Sequence, residues 1–297
     1  MQWALHIHRL DQLIHSDSPY SWPTRYQNAK DCPINELPPH FEYIYIGDEF
    51  CPNRLPSPKE LKQVLQFTKE NKQSLILVTP MLSDEAIEKC HPLFDALSLN
   101  DPESEIVVND WGLMSFLREN YPHLKIALGR LLNKGFKDPR LQNNDISSEN
   151  DIYDLLNQYT YQSDFFQEFA ISSNINRLEQ DLLPYEDLKT LQQRIPEGHV
   201  QNRSYYLPYG YVTTGRICWT SLFCSENNHS KAFLPCPPHC QHPCAHFTID
   251  LCNPKFQSHL YQNGNTIFYL YSPKMCNDLI DQTHKTDHRL VYQGLLV

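Results

Sequence analysis

The sequence predicts an α/β fold of the TIM type, an irregular (β/α)8 barrel with a cysteine-rich metal-binding insertion late in the chain. Three observations lead there. Short apolar runs of strand length alternate with segments of helical periodicity, the pattern of parallel βαβ units, because a parallel crossover needs a covering helix. About eight barrel-type runs can be counted. The chain has 297 residues, more than the roughly 250 that such a barrel needs, which leaves room for an insertion near residues 215–275. The expected organisation is one barrel domain over 1–297 with that insertion inside it.

The first strand is LHIHRL (5–10), where His6 and His8 share a face because side chains alternate along a strand. They read as a surface pair rather than a metal site. FEYIYIG (41–47) is the second strand. Ser57, Pro58 and Glu60 then supply an N-cap, a proline at the first helical position and the glutamate of a capping box. Leu61, Val64 and Leu65 continue at helical spacing. SLILVT (74–79) is a continuous apolar run of the buried-strand type, followed by a helix from near Ser83 with Ile87 inward.

EIVVND (105–110) leads into a helix from about Asp110 whose buried face is Leu113, Phe116 and Leu117, and KIALGRLL (125–132) is the next strand. After Pro139 the segment LQNNDISSENDIYD (141–154) is polar enough for a surface excursion. INRLEQD (175–181) reads as a strand, EDLKTLQQRI (186–195) as a helix, and SYYLPYGYVTT (204–214) as an aromatic strand broken at Pro208. NTIFYLY (265–271) is a strand or hairpin arm, and HRLVYQ (288–293) is the last short strand.

Composition restricts function. Forty per cent hydrophobic residues with 12% aromatics suffice for a packed core. A formal charge of −10 disfavours a protein that wraps nucleic-acid phosphate or binds anionic membrane, so RNA is the less attractive partner and a small organic substrate the better one. Arg9 and Asp11 interrupt the apolar run that a signal peptide would need, and no stretch reaches membrane-span length. The expected setting is soluble and cytoplasmic, where thiols stay reduced.

Five of the ten cysteines fall within residues 215–244. Cys236, Cys240 and Cys244 recur every four residues, but Pro237, Pro238 and Pro243 argue against a helix there. Thiols gathered on an irregular loop point to thiolate–metal bonds, which would fix such a loop, rather than to a disulfide. Zinc and an iron–sulfur cluster both accept four thiolates. His239, His242 and His246 favour zinc, whereas the absence of paired C-x2-C knuckles disfavours it. The residues themselves leave the two metals open.

The segments YIYIGDEFCPNR (43–54), EIVVNDWGLMSFL (105–117), IALGRLLN (126–133) and GRICWTSLF (215–223), followed by C-x3-C, resemble the collagenase-like peptidase family of U32 type. That family includes the UbiU and UbiV subunits of oxygen-independent ubiquinone hydroxylation, and the similarity is greatest to its short UbiV-like members. The resemblance implies a TIM-type barrel and a [4Fe–4S] cluster. It implies Cys51, Cys218, Cys236 and Cys240 as ligands, with Cys244 as the alternative to Cys240. It also implies a paired subunit of the same family. The gap between Cys218 and Cys236 is longer than the family pattern, and Cys224, Cys244 and Cys252 are extra; with His242 or His246 they form the alternative of a second site, for zinc. Cys32, Cys90 and Cys276 stand alone and read as structural.

Asp110 and Arg130 end consecutive strands, so both are expected at the catalytic mouth, or else as a helix N-cap and its ion-pair partner. Arg177 and Glu179 lie on a later strand, with one of the two expected to face inward and to need a partner. Asp110, Arg130 and Glu179 are therefore the catalytic candidates, and Arg216 is a candidate to bind a carboxylate or tune the cluster. The letters GDEF (47–50) lack the surroundings of a cyclic-dinucleotide enzyme motif. Neither H-E-x-x-H nor G-x-S-x-G is present, so peptidase activity is not expected. Two functions follow: an oxygen-independent hydroxylase or subunit of one, acting on a quinone precursor or an RNA base, or a non-catalytic subunit whose metal staples a loop. An open pocket containing Arg130 or Glu179 would favour the enzyme, and a filled mouth the subunit.

Overall fold

A computed structural model describes residues 1–8, 34, 37–101, 104–138, 156, 158–184, 188, 195–215, 218, 248–251 and 260–293. Eight parallel strands close into a barrel in the order β1, β12, β7, β6, β5, β4, β3, β2. They are β1 (Gln2–Ile7), β2 (Tyr43–Gly47), β3 (Ser74–Val78), β4 (Glu105–Val108), β5 (Lys125–Leu128), β6 (Arg177–Gln180), β7 (Arg203–Leu207) and β12 (Arg289–Tyr292). Each of the eight overlaps a run read as a strand, although β1 begins three residues before the LHIHRL run and β7 is only the first part of the aromatic run. The order steps by one strand from β7 back to β2, and the last strand closes on the first through Ala4 opposite Val291.

Helices cover the crossovers. α1 (Pro58–Glu70) begins at the expected capping box: the Ser57 side chain accepts from the Glu60 amide at 3.2 Å, and Glu60 accepts from the Ser57 amide at 2.8 Å. α2 (Asp84–Asn100) starts at Ser83 and buries Ile87, Leu93, Phe94 and Leu97. α3 (Trp111–Asn120) buries Leu113 and Leu117. Two further helices, α4 (Asp164–Ser172) and α5 (Pro273–Thr283), were not anticipated, although Ser272 and Pro273 repeat the start signal of α1. The helix expected at 186–195 and the excursion at 141–154 lie outside the described residues.

The main apolar core fills the space between the barrel wall and the helices, with Leu5, Ile44, Leu75, Ile106, Ile126 and Leu178 pointing outward into it. Inside the barrel a smaller apolar layer contains Ala4, Tyr45, Ile76, Val107, Ala127, Tyr206 and Val291. The aromatic run broken at Pro208 is two strands. β7 belongs to the barrel, and β8 (Tyr209–Thr214) turns away through a cis Leu207–Pro208 bond into a separate antiparallel sheet. That sheet has the order β8, β11 (Thr266–Leu270), β10 (Leu260–Asn263), β9 (Thr248–Asp250). NTIFYLY is thus a hairpin arm.

Candidate functional site at the barrel mouth

The small sheet meets the C-terminal end of the barrel, where Leu131, Tyr209, Tyr211, Tyr261 and Phe268 form a third apolar cluster with Phe50 packed against it. Directly beneath lies Arg130, wholly buried. Its Nε and Nη2 donate to Glu49 at 2.8 and 2.6 Å, and its Nη1 donates to Asp181 at 2.6 Å. The remaining donors reach the Tyr209 carbonyl at 3.3 Å and Gln293 at 3.1 Å. The Tyr206 ring stacks 3.7 Å from the guanidinium carbon. A guanidinium offers five N–H groups, and here all five are engaged.

Lys137 completes the cluster, donating to Asp181 at 2.8 Å over the Tyr211 ring. Burial outweighs the attraction of Arg130 and pushes the Glu49 carboxyl up to about 7. Asp181, flanked by Arg130 and Lys137, is held below the ordinary aspartate value against its own burial. Burial lowers Lys137 to about 8.

Arg130 does not pair with Asp110. Asp110 sits one residue past the inward-facing register and caps α3, accepting from the Leu113 amide at 2.9 Å. Its neighbour Asn109 points inward instead, donating to the Thr79 carbonyl at 2.9 Å and accepting from the Leu131 amide at 3.1 Å, which ties three strand ends together.

Arg177 and Glu179 correct another expectation. Both face inward, because residues two apart on a strand share a face. Glu179, fully buried, accepts hydrogen bonds from the hydroxyls of Tyr45 (2.7 Å) and Tyr206, and burial raises its carboxyl. Arg177 lies lower, 3.8 Å from Glu105.

His6 and His8 are not a surface pair either. His6 is 1% exposed and bridges the Gly47 carbonyl and the Gln293 side chain. His8 lies 3.3 Å from Asp48, with the two rings 4.6 Å apart. Gly47 is required by β3 beside it: its φ is +115°, and a Cβ there would stand 2.1 Å from the Val78 carbonyl oxygen.

The partners that sequence reasoning missed are Asp48, Glu49, Lys137, Asp181 and Gln293. Glu49 and Asp181 continue the inward alternation of Tyr45 and Gly47 and of Arg177 and Glu179, so strand parity alone carries the signal.

Cys51 follows at the same rim. Asp48 accepts from the amides of Phe50 and Cys51 at 2.6 and 2.8 Å and from Arg54 at 2.9 Å, shaping the turn that presents the thiol. Arg54 also donates to Asn263 of β10 at 2.7 Å. Asn265 then joins the two chain regions: its amide nitrogen donates to the carbonyls of Phe50 at 3.0 Å and Gly215 at 2.8 Å, and the Gly215 amide returns to the Asn265 carbonyl. The residue before Cys51 and the residue three before Cys218 are held by one side chain, and both thiols are half-buried.

Thiols are the donor type that zinc and iron–sulfur clusters take, and of the expected ligands Cys51 and Cys218 fall among the described residues. Cys236, Cys240, Cys244, Cys224, Cys252, Cys32, Arg216, His239, His242 and His246 lie outside the described residues. Among the described residues no group of three metal-binding side chains gathers, and no helix is long and apolar enough to cross a membrane.

No protein-family model and no curated protein matches the sequence. Among solved structures, the U32 peptidase Mk0906 is similar at 10% identity over 98% of this chain and 92% of its own, with a TM-score of 0.38. The spore cortex-lytic enzyme SleL of Bacillus megaterium is similar at 14% identity over 99% of this chain and 71% of its own, with a TM-score of 0.36. A class V chitinase from Cycas revoluta is similar at 7% identity over 99% and 95%, with a TM-score of 0.38. By its own strand order and register, the chain is a TIM-type α/β barrel with a second sheet seated on its mouth.

Proposed function

We propose that the chain is an iron–sulfur protein with a [4Fe–4S] cluster at the barrel rim, working as a subunit of an oxygen-independent hydroxylation system of the U32 type. Cys51, Cys218, Cys236 and Cys240 would hold the cluster, with Cys244 as the alternative to Cys240. Bound there, it would supply one-electron redox chemistry. The observation that carries the reading is the Asn265 bridge, which brings the flanks of Cys51 and Cys218 together although the two cysteines are 167 residues apart in the sequence.

The protein's own residues restrict where chemistry takes place. Arg130 and Glu179 are saturated by protein partners, so neither is free to bind a substrate inside the barrel. A quinone-precursor ring or another small organic substrate would meet the rim, not the interior. Asp48 and Asn265 hold the turns carrying the thiols, and the Arg130 cluster gives them a rigid floor.

The filled mouth favours a second reading, in which the metal, iron–sulfur or zinc, staples the cysteine segment and the barrel serves a catalytic partner of the same family. Protein purified without oxygen and assayed for iron, zinc and acid-labile sulfide tests both. Iron with sulfide and an absorption band that bleaches on reduction supports the redox reading. Zinc without sulfide overturns it and leaves the stapled subunit.

A further inference from the structure

The opposite, N-terminal end of the barrel carries a charge imbalance that the rim does not explain. Arg203 opens β7 and His288 precedes β12; because Arg289 stands opposite Ser204, His288 falls opposite Arg203 on the neighbouring strand. Both are buried, at 4% and 8% exposure. Arg203 Nη1 and His288 Nδ1 are each shielded from solvent and without a hydrogen-bond partner. Among the described residues, the groups that raise the basicity of Arg203 are the hydroxyls of Tyr205 and Tyr161.

The surrounding charges do not repair this. Glu105 is shared by two other guanidiniums, taking Arg289 at 2.6 Å and Arg177 at 3.8 Å. Arg177 donates to the backbone carbonyl of Arg203 at 2.9 Å, adding a second positive charge nearby. His288 is pushed down to about 4 by burial, then by Arg203 and Arg177, with Asp287 as the opposing charge. A buried guanidinium with no counter-charge is costly, and buried charges are as a rule paired.

We infer that Arg203 and His288 form a binding site for a small inorganic oxyanion of the phosphate class at the N-terminal end of the barrel. The unpaired Nη1 donates to the anion, and the His288 ring donates from Nδ1 in its protonated form or other tautomer. Burial of both side chains restricts the ligand to a free ion, because a polyanion or a lipid headgroup cannot follow its phosphate inside. The inference is independent of any cluster at the rim.

Inorganic phosphate is the probe, titrated to saturation against thermal unfolding at ionic strength held constant with chloride. Ligand at about a hundred times its Kd should raise the midpoint by about 5 °C. Arg203→Met should abolish the shift and His288→Gln should weaken it. No phosphate-specific shift in the parent protein, or an equal shift in both variants, overturns the site. Should Arg203→Met fail to fold, titration calorimetry of the parent against His288→Gln decides: equal affinity rejects the site and a loss of tenfold or more supports it.

Discussion

Arg130 and Arg203 lie in the same barrel, both buried, and their surroundings are opposites. At the mouth, every donor of Arg130 is taken by two carboxylates, a glutamine and a carbonyl. At the other end, no carboxylate among the described residues pairs with Arg203, and its Nη1 is buried without a partner. The difference teaches that burial alone does not define a role. A guanidinium saturated by its own protein is a structural plug, and one left unsatisfied is a place where something else binds.

The largest test breaks the contrast outright. Arg130→Met leaves Glu49 buried without its cation and Asp181 with Lys137 alone, and should cost about 3–5 kcal/mol, read by denaturant unfolding. Arg203→Met removes an unpaired charge and should leave stability in phosphate-free buffer unchanged or raise it by about 1 kcal/mol. Equal losses would refute the distinction.

A pH series sharpens it. His288 is lowered from 6.5 to about 4, so its contribution is fully present above pH 6.5 and is lost as pH falls from there towards 4. The loss amounts to about 3 kcal/mol, visible as acid destabilisation in phosphate-free buffer. His288→Gln should flatten that part of the profile. The smallest effect concerns Asp110: Asp110→Ala removes the cap of α3 and should cost about 1 kcal/mol while leaving the metal content unchanged. A loss of bound metal would return Asp110 to the site.

The barrel strands were legible as short runs of strand length set between helical or polar segments, and the cap of α1 because its signal is local. What escaped were relations across the chain. Glu49, Arg130 and Asp181 meet only after the barrel closes, although strand parity placed Glu49 and Asp181 on the inward face. The break at Pro208 was legible, but the departure of β8 into a separate sheet was not, because Tyr205, Tyr206, Tyr209 and Tyr211 look alike on both sides of it. Asp110 was legible as the N-cap of α3, and its alternative place at the mouth fails by one residue, which in a strand is the difference between the inner and outer face. Cys51 and Cys218 were singled out by resemblance, whereas the Asn265 bridge between their flanks has no sequence signature.

The most direct test of the rim site is the iron and sulfide content of Cys51→Ala, Cys218→Ala and Cys90→Ala proteins, each purified without oxygen beside the parent. Cys90 is buried in α2, away from the rim, and serves as the control. The account predicts that the parent and Cys90→Ala carry iron and sulfide in equal amounts, and that Cys51→Ala and Cys218→Ala lose them. Iron and sulfide retained in both rim variants, or absent from the parent, would contradict it.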